Sequence, residues 1–204
     1  MRDEEDEEDD DGNIISDPDH DGGIRTAARV WFADPAAAKA RYGPIASWDV
    51  SEVTDLSYLF FQQAGFNEDL SRWDVSNVVN MGGMLAGATS YNGDLSRWNV
   101  SNVEDMNCMF DGATSYNGDL SSWNVSNVVD MDNMFNGATS YNGDLSRWNV
   151  SNVVNMDVMF RGATSFDRQL GGAWATSTAD KRFMFLNSPG TIAGKTKDAN
   201  GTIA

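Results

Sequence analysis

The sequence predicts an α/β repeat solenoid: about five 25-residue turns stacked with a short parallel sheet on one face and short helices on the other, closed at the amino end by a helical cap. Three observations predict it. Trp48, Trp73, Trp98, Trp123 and Trp148 stand 25 residues apart, and each opens a near-identical stretch of chain. Within a copy, apolar residues first alternate and then recur at a helix-like spacing. A unit this short cannot bury its own apolar face, so its copies must cover one another.

Four regions follow in order. Residues 1–22 hold 12 acids and one base, Arg2, a like-charge block that predicts a disordered acidic tail. Within it, Asp17-Pro18-Asp19-His20-Asp21-Gly22 resembles the start of a calcium loop, but Ala28 stands where the bidentate glutamate is needed, so no metal is expected. Residues 23–47 are alanine-rich with Pro35 at a helix start, and Val30, Trp31 and Phe32 suit a cap over the first turn. The repeats fill 48–170. In 171–204 a degenerate copy, with Trp174 one residue late but Met184 and Phe185 in step, leads into a carboxyl-terminal cap.

The third copy shows the unit most clearly. Leu95, Trp98 and Val100 fit a strand on the L-x-x-L-x-L pattern of leucine-rich repeats, with Asn99 outward. Val103, Met106, Met109, Phe110 and Ala113, spaced 3, 3, 1 and 3, suit one or two helical turns. Asn117-Gly118-Asp119 is turn chemistry leading to the next strand at Leu120. Register then aligns two polar ladders, Asn77, Asn102, Asn127 and Asn152 in one, and Asn67, Asn92, Asn117, Asn142 and Asp167 in the other.

Composition narrows the functions. The chain carries 31 acidic and 14 basic residues, and from residue 23 onward 19 and 13, a body charge of −6 with no basic stripe. Nucleic acid is therefore not an expected partner. Nowhere do ~18 uninterrupted apolar residues occur, so membrane insertion is not expected either. Met1 to Asp6 lack the apolar core of a secretion signal. Cys108 is the single cysteine, at a position where other copies carry Tyr58, Gly83, Asn133 and Val158, and reads as a bystander rather than a nucleophile. His20 is the only histidine and lies in the acidic segment, which leaves a serine or cysteine triad without its imidazole.

The phrase Asp-Leu-Ser-Arg-Trp-Asn-Val-Ser-Asn-Val, followed by Met-x-x-Met-Phe-x-Gly-Ala-Thr-Ser-Tyr-Asn, resembles the repeat of the BspA-like leucine-rich repeat surface proteins. The match runs copy by copy over residues 45–170. Ala28-Arg29-Val30-Trp31 followed by Tyr42-Gly43-Pro44-Ile45 is similar to the segment preceding the repeats in that group. The resemblance implies a leucine-rich-type solenoid, adhesion, and a cell-surface or extracellular location, and it brings no catalytic residues. Asn99, Asn124 and Asn149 stand where the family uses aspartate; each also begins an Asn-Val-Ser glycosylation sequon, a by-product of the repeat.

The expected function is accordingly protein or glycan binding by a monomer, without catalysis or cofactor. The candidate contact residues are two outward columns, Arg72, Arg97, Ser122 and Arg147 beside Asp74, Asn99, Asn124 and Asn149. Two other classes remain open. A structural or ice-binding solenoid would use the row Thr89, Thr114, Thr139 and Thr164 with Ser90, Ser115, Ser140 and Ser165, and a glycosidase would use paired carboxylates, which here are spread along the repeats.

Overall fold

The computed structural model describes residues 23–203. The acidic segment, His20 and the calcium-loop-like run Asp17–Gly22 lie outside them. Two helices come first, α1 (Gly23–Ala33) and α2 (Pro35–Tyr42). Asp34 separates them because its Oδ1 accepts the N–H groups of Ala36 and Ala37, both at 3.0 Å, an N-cap followed by Pro35 in the first helical position. Helix α1 buries Ile24, Ala27 and Ala28, and sets Trp31 edge-on to Trp48 and Phe32 edge-on to Phe60 and Phe66. The cap thereby covers the apolar end of the first coil.

The copies lie directly on one another. Parallel bridges join Asp55, Asn80, Asp105, Asp130, Asn155 and Asp180 in a single ladder, each to its equivalent 25 residues on. From that ladder, alternate amides continue the link: Met106, Cys108, Phe110 and Gly112 donate to the carbonyls of Asp130, Asp132, Met134 and Asn136. The intervening amides of Met109 and Asp111 turn back to Met106 and Cys108. Half of the segment's polar backbone thus closes its own coil and half joins the next.

This exchanges the expected local structure. Val103–Ala113 is not helical, because Cys108 (φ 53°) and Gly112 (φ 67°) sit in the left-handed region, and the same two positions repeat in every copy. The helix-like spacing correctly marks Met106, Met109, Phe110 and Ala113 as buried, but the inward side is set by successive tight turns. Leu95–Val100 is likewise no strand: Trp98 N–H returns to Leu95 O, and Val103 N–H to Val100 O. Among the described residues the only strands are β1 (Gln169–Leu170) and β2 (Thr191–Ile192), paired in parallel. The parallel hydrogen bonding lies on the Asp105 side of the coil rather than the Trp98 side.

Three aromatic columns fill the interior. Trp48, Trp73, Trp98, Trp123, Trp148 and Trp174 are buried, and Trp48–Trp73, Trp98–Trp123, Trp123–Trp148 and Trp148–Trp174 stack at 6.4 Å, with Trp98, Trp123 and Trp148 within 2° of parallel from one to the next. Phe110, Phe135, Phe160 and Phe185 stack at 5.4–5.6 Å, and Phe66, Tyr91, Tyr116, Tyr141 and Phe166 at 5.8–6.1 Å. Each indole N–H of Trp73, Trp98, Trp123, Trp148 and Trp174 donates at 2.9 Å to a carbonyl of the preceding copy. The extra residue before Trp174 is absorbed by a short helix, α3 (Ala173–Thr176), which returns the indole to its column.

The hydroxyls of Tyr91, Tyr116 and Tyr141 are buried without a partner among the described residues, while Phe66 and Phe166 occupy the ends of the same column. Tyr116→Phe is therefore expected to stabilise the protein by about 1 kcal/mol, since a buried unpaired hydroxyl carries its full desolvation cost. Urea unfolding of the variant checks it. A second local cost sits at Val158, a β-branched residue at φ 61°. The left-handed region costs an L-residue about 1–2 kcal/mol, of which glycine's looser unfolded chain returns about 0.5–1, so Val158→Gly should stabilise by about 0.5–1 kcal/mol. A rise of roughly 2 °C in melting temperature is the expected reading.

Both asparagine ladders tie coil to coil, by two different bonds. Asn77, Asn102, Asn127 and Asn152 donate Nδ2–H to the carbonyls of Ser51, Ser76, Ser101 and Ser126, each at 2.7 Å. In the other column the side-chain oxygen accepts instead: Asn92 and Asn117 N–H reach Asn67 and Asn92 Oδ1 at 2.9 Å, and Asn142 N–H reaches Asn117 Oδ1 at 2.8 Å. At the carboxyl end the segment 188–203 folds over the last copy. Phe185 N–H donates to Gly201 O at 2.9 Å, and Lys197 Nζ donates to Ser188 O and Gly190 O while lying over the Phe185 ring.

Candidate functional site

Corners place the candidate contact residues. In each copy a carboxylate or amide accepts the N–H two residues on, a short-range turn that competes with regular structure. Asp94 Oδ1 takes Ser96 N–H at 2.9 Å, Asn99 Oδ1 takes Ser101 N–H at 3.2 Å, and Asp105 Oδ1 takes Asn107 N–H at 2.8 Å. Tryptophan 98 points inward between the first two corners, leaving Arg97 and Asn99 outside.

All eight candidates are exposed, in two neighbouring columns. They differ in freedom. Asp74, Asn99, Asn124 and Asn149 each commit Oδ1 to a turn, accepting from Ser76, Ser101, Ser126 and Ser151 at 3.1–3.2 Å. Ser122 donates its hydroxyl to Ser96 O at 2.8 Å. Arg72, Arg97 and Arg147 make no ion pair among the described residues, and each lies close enough to Asp69, Asp94 or Asp144 to help hold that carboxyl ionised.

The column Asp69, Asp94, Asp119 and Asp144 is held below the usual carboxylate range, first by the backbone N–H and then by the hydroxyl of the serine two residues on. A carboxyl lowered on folding adds stability above its unfolded value and loses it as pH falls through the folded value, here below about pH 4. Asn99 shows that an amide makes the same corner. Asp94→Asn, Asp119→Asn and Asp144→Asn together should therefore shrink the loss of stability between about pH 5 and pH 2, read by circular dichroism during acid titration.

One surface was missed. On the ladder side, Tyr58 and Phe61 are about half exposed and meet edge to face at 5.7 Å. Beside them a cleft of about 480 Å³ opens between α1 and the first coil, with Phe32 and Leu59 in its lining and Arg25 and Arg29 at its side. Arg25 pairs with Asp55 at 3.3 Å and donates to Ser57 O at 2.7 Å. Farther along, Cys108 is half-buried, and burial, then Asp111, Asp132, Asp130 and Asp105, push its thiol up to about 11. A thiol so placed stays protonated at neutral pH. The signal in the sequence was the variability of the Cys108 position itself.

Residues 31–130 and 95–192 both match one family, and the two matches together span more than three quarters of the 204 residues. The chain belongs to the family described as Mycoplasma protein of unknown function, DUF285. Two overlapping matches to the same family are what a chain of repeats produces. No curated protein and no solved structure matches it significantly. Among the described residues of this DUF285 member, no group of three or more His, Cys, Asp or Glu is placed to hold a metal ion, and no helix is long and apolar enough to cross a membrane.

Proposed function

We propose that this DUF285 chain is a binding or adhesion module of the leucine-rich-repeat-like solenoid class, related in kind to the BspA-like surface proteins, which engages a protein or glycan at a cell surface without catalysis. One observation carries the reading. On the face that carries the two candidate columns, like outward residues recur one coil apart over a fixed, buried frame, which makes a linear array suited to an extended partner. The columns Arg72, Arg97 and Arg147 and Asp74, Asn99, Asn124 and Asn149 offer charged donors and amide groups along that array.

The test is saturable binding of the intact protein to glycan and peptide arrays, followed by titration of the hits. Micromolar or tighter binding to one class supports a module, and the absence of saturable binding in both removes it. The threonine row favours a second reading, an ice-binding or matrix solenoid. Thr89, Thr114, Thr139 and Thr164 are exposed in register, but each hydroxyl already donates to a carbonyl of the copy before it, at 3.1–3.5 Å. Thermal hysteresis in dilute protein would replace the first reading by the second.

A further inference from the structure

The four central copies, residues 70–169, are closely alike except along one strip, while the first and the last diverge at many positions. At the left-handed position the six copies carry Tyr58, Gly83, Cys108, Asn133, Val158 and Phe183, no two alike. Three residues on, Phe61, Ala86, Asp111, Asn136, Arg161 and Leu186 are again all different. Exposure alone does not explain this, because across the four central copies Ser90, Ser115, Ser140 and Ser165 are exposed and unchanged while the strip positions all differ. Nor does the backbone, which at φ 53–61° favours glycine and makes valine a steric outlier. Gly83 shows that glycine serves there, and its neighbour Tyr58 leans over it. In three of the six copies, at Tyr58, Val158 and Phe183, a bulky side chain stands at this position against the local preference of the chain, and Tyr58 and Phe183 hold theirs about half in solvent.

The strip also has a charge pattern. Its middle, over the third and fourth coils, gathers Asp105, Asp111, Asp130 and Asp132 around Cys108, and among the described residues none of the four has a cationic partner. The ion pairs stand at its two ends, Arg25 with Asp55 and Arg182 with Asp157 and Asp180. Apolar groups mark the ends as well: Tyr58, Phe61 and the cleft beside α1 at one, Val158 and Phe183 at the other. Six coils at ~4.8 Å give a strip of roughly 24 Å, the length of about seven extended residues.

We infer that this variable strip is the recognition surface, and that it takes an extended polypeptide segment with basic residues at its centre and an aromatic or aliphatic side chain toward each end. The inference rests on the binding-module reading, narrows its partner to a polypeptide, and moves the contact from the arginine and asparagine columns to the strip. A basic centre supplies the counter-charges the four aspartates lack, and an apolar end residue fills the cleft lined by Phe32, Leu59 and Phe61. Copy-to-copy variation then spells a different contact at successive coils, except the second, where Gly83 and Ala86 are buried and Tyr58 leans over that position.

Selection of a random peptide display library on the full chain tests it, with the enriched peptides synthesised and titrated. The expected winners carry lysine or arginine flanked by apolar residues. Their affinity should fall at least tenfold on Asp111→Asn with Asp132→Asn, and on Tyr58→Gly with Phe183→Gly, and should weaken with salt. The glycine changes suit the local backbone, so retained melting temperature separates lost contact from lost fold. Ser115→Ala should leave binding unchanged. Winners without basic residues, or winners that lose binding on Arg97→Ser with Arg147→Ser and keep it on the strip variants, overturn the strip while the module stands. Binding to glycans but to no peptide does the same, and no saturable ligand of either kind removes both.

Discussion

Trp123→Ala is expected to destabilise the protein by about 3–5 kcal/mol. The indole is 3% exposed and lies between Trp98 and Trp148 at 6.4 Å on each side, so truncation opens a cavity that two coils line and neither can fill. Loss of the hydrogen bond adds less. Leu95 O, which accepts the indole N–H at 2.9 Å, also accepts Trp98 N–H and keeps a partner. Interior position decides the size of the effect, because Trp31 at the cap is only partly buried and its alanine variant should cost markedly less. Urea unfolding of both variants, compared at a common slope, gives the two values.

Gly201→Val should cost about 3 kcal/mol and free the carboxyl-terminal segment. Gly201 has φ 75°, and a Cβ there would fall 2.1 Å from Leu186 N and 2.4 Å from Phe185 C. Both are backbone atoms of the last coil, held by its own bonds, so the clash cannot be relieved by a rotamer change. Segment 188–203 must then lift, breaking the Phe185 N–H to Gly201 O bond and uncovering Phe185 and Ile192. Trypsin reports this directly. Lys197 is tied to Ser188 O and Gly190 O in the wild type, and cleavage after Lys195 and Lys197 should become fast in the variant before the body of the protein is cut.

The repeat, the inward tryptophans and the asparagine columns were legible in the chain because each depends only on which residues recur at 25. Hydrogen-bond destinations were not. Met106, Met109 and Phe110 have the apolar spacing of a helix, but spacing reports which side chains face the core, and the N–H groups of Met106, Cys108 and Phe110 leave for the next coil. Left-handed residues decide that, and at Cys108, Asn133 and Val158 no glycine announces them. Leu95–Val100 misled in the same way. Its alternating burial is that of a strand, while the Asp-x-Ser and Asn-x-Ser pairs on either side of Trp98 already carried the sign of paired corners. For the candidate site, exposure of Arg97 and Asn99 could be read from the period. That Asn99 Oδ1 is engaged by its own turn, and that Tyr58 and Phe61 form a half-exposed aromatic pair on the ladder side, needed coordinates.

Stacking of one coil on the next through a closed interior is the claim on which the rest depends, and exchange of the indole protons tests it most directly. Trp73, Trp98, Trp123, Trp148 and Trp174 each donate Nε1–H to a carbonyl of the copy before, all buried. Measured by NMR in deuterated buffer, these five protons should exchange only through global unfolding, at rates that follow stability as urea is added. Exchange of the five within minutes under stable conditions, as for indoles in water, would contradict coil-on-coil packing.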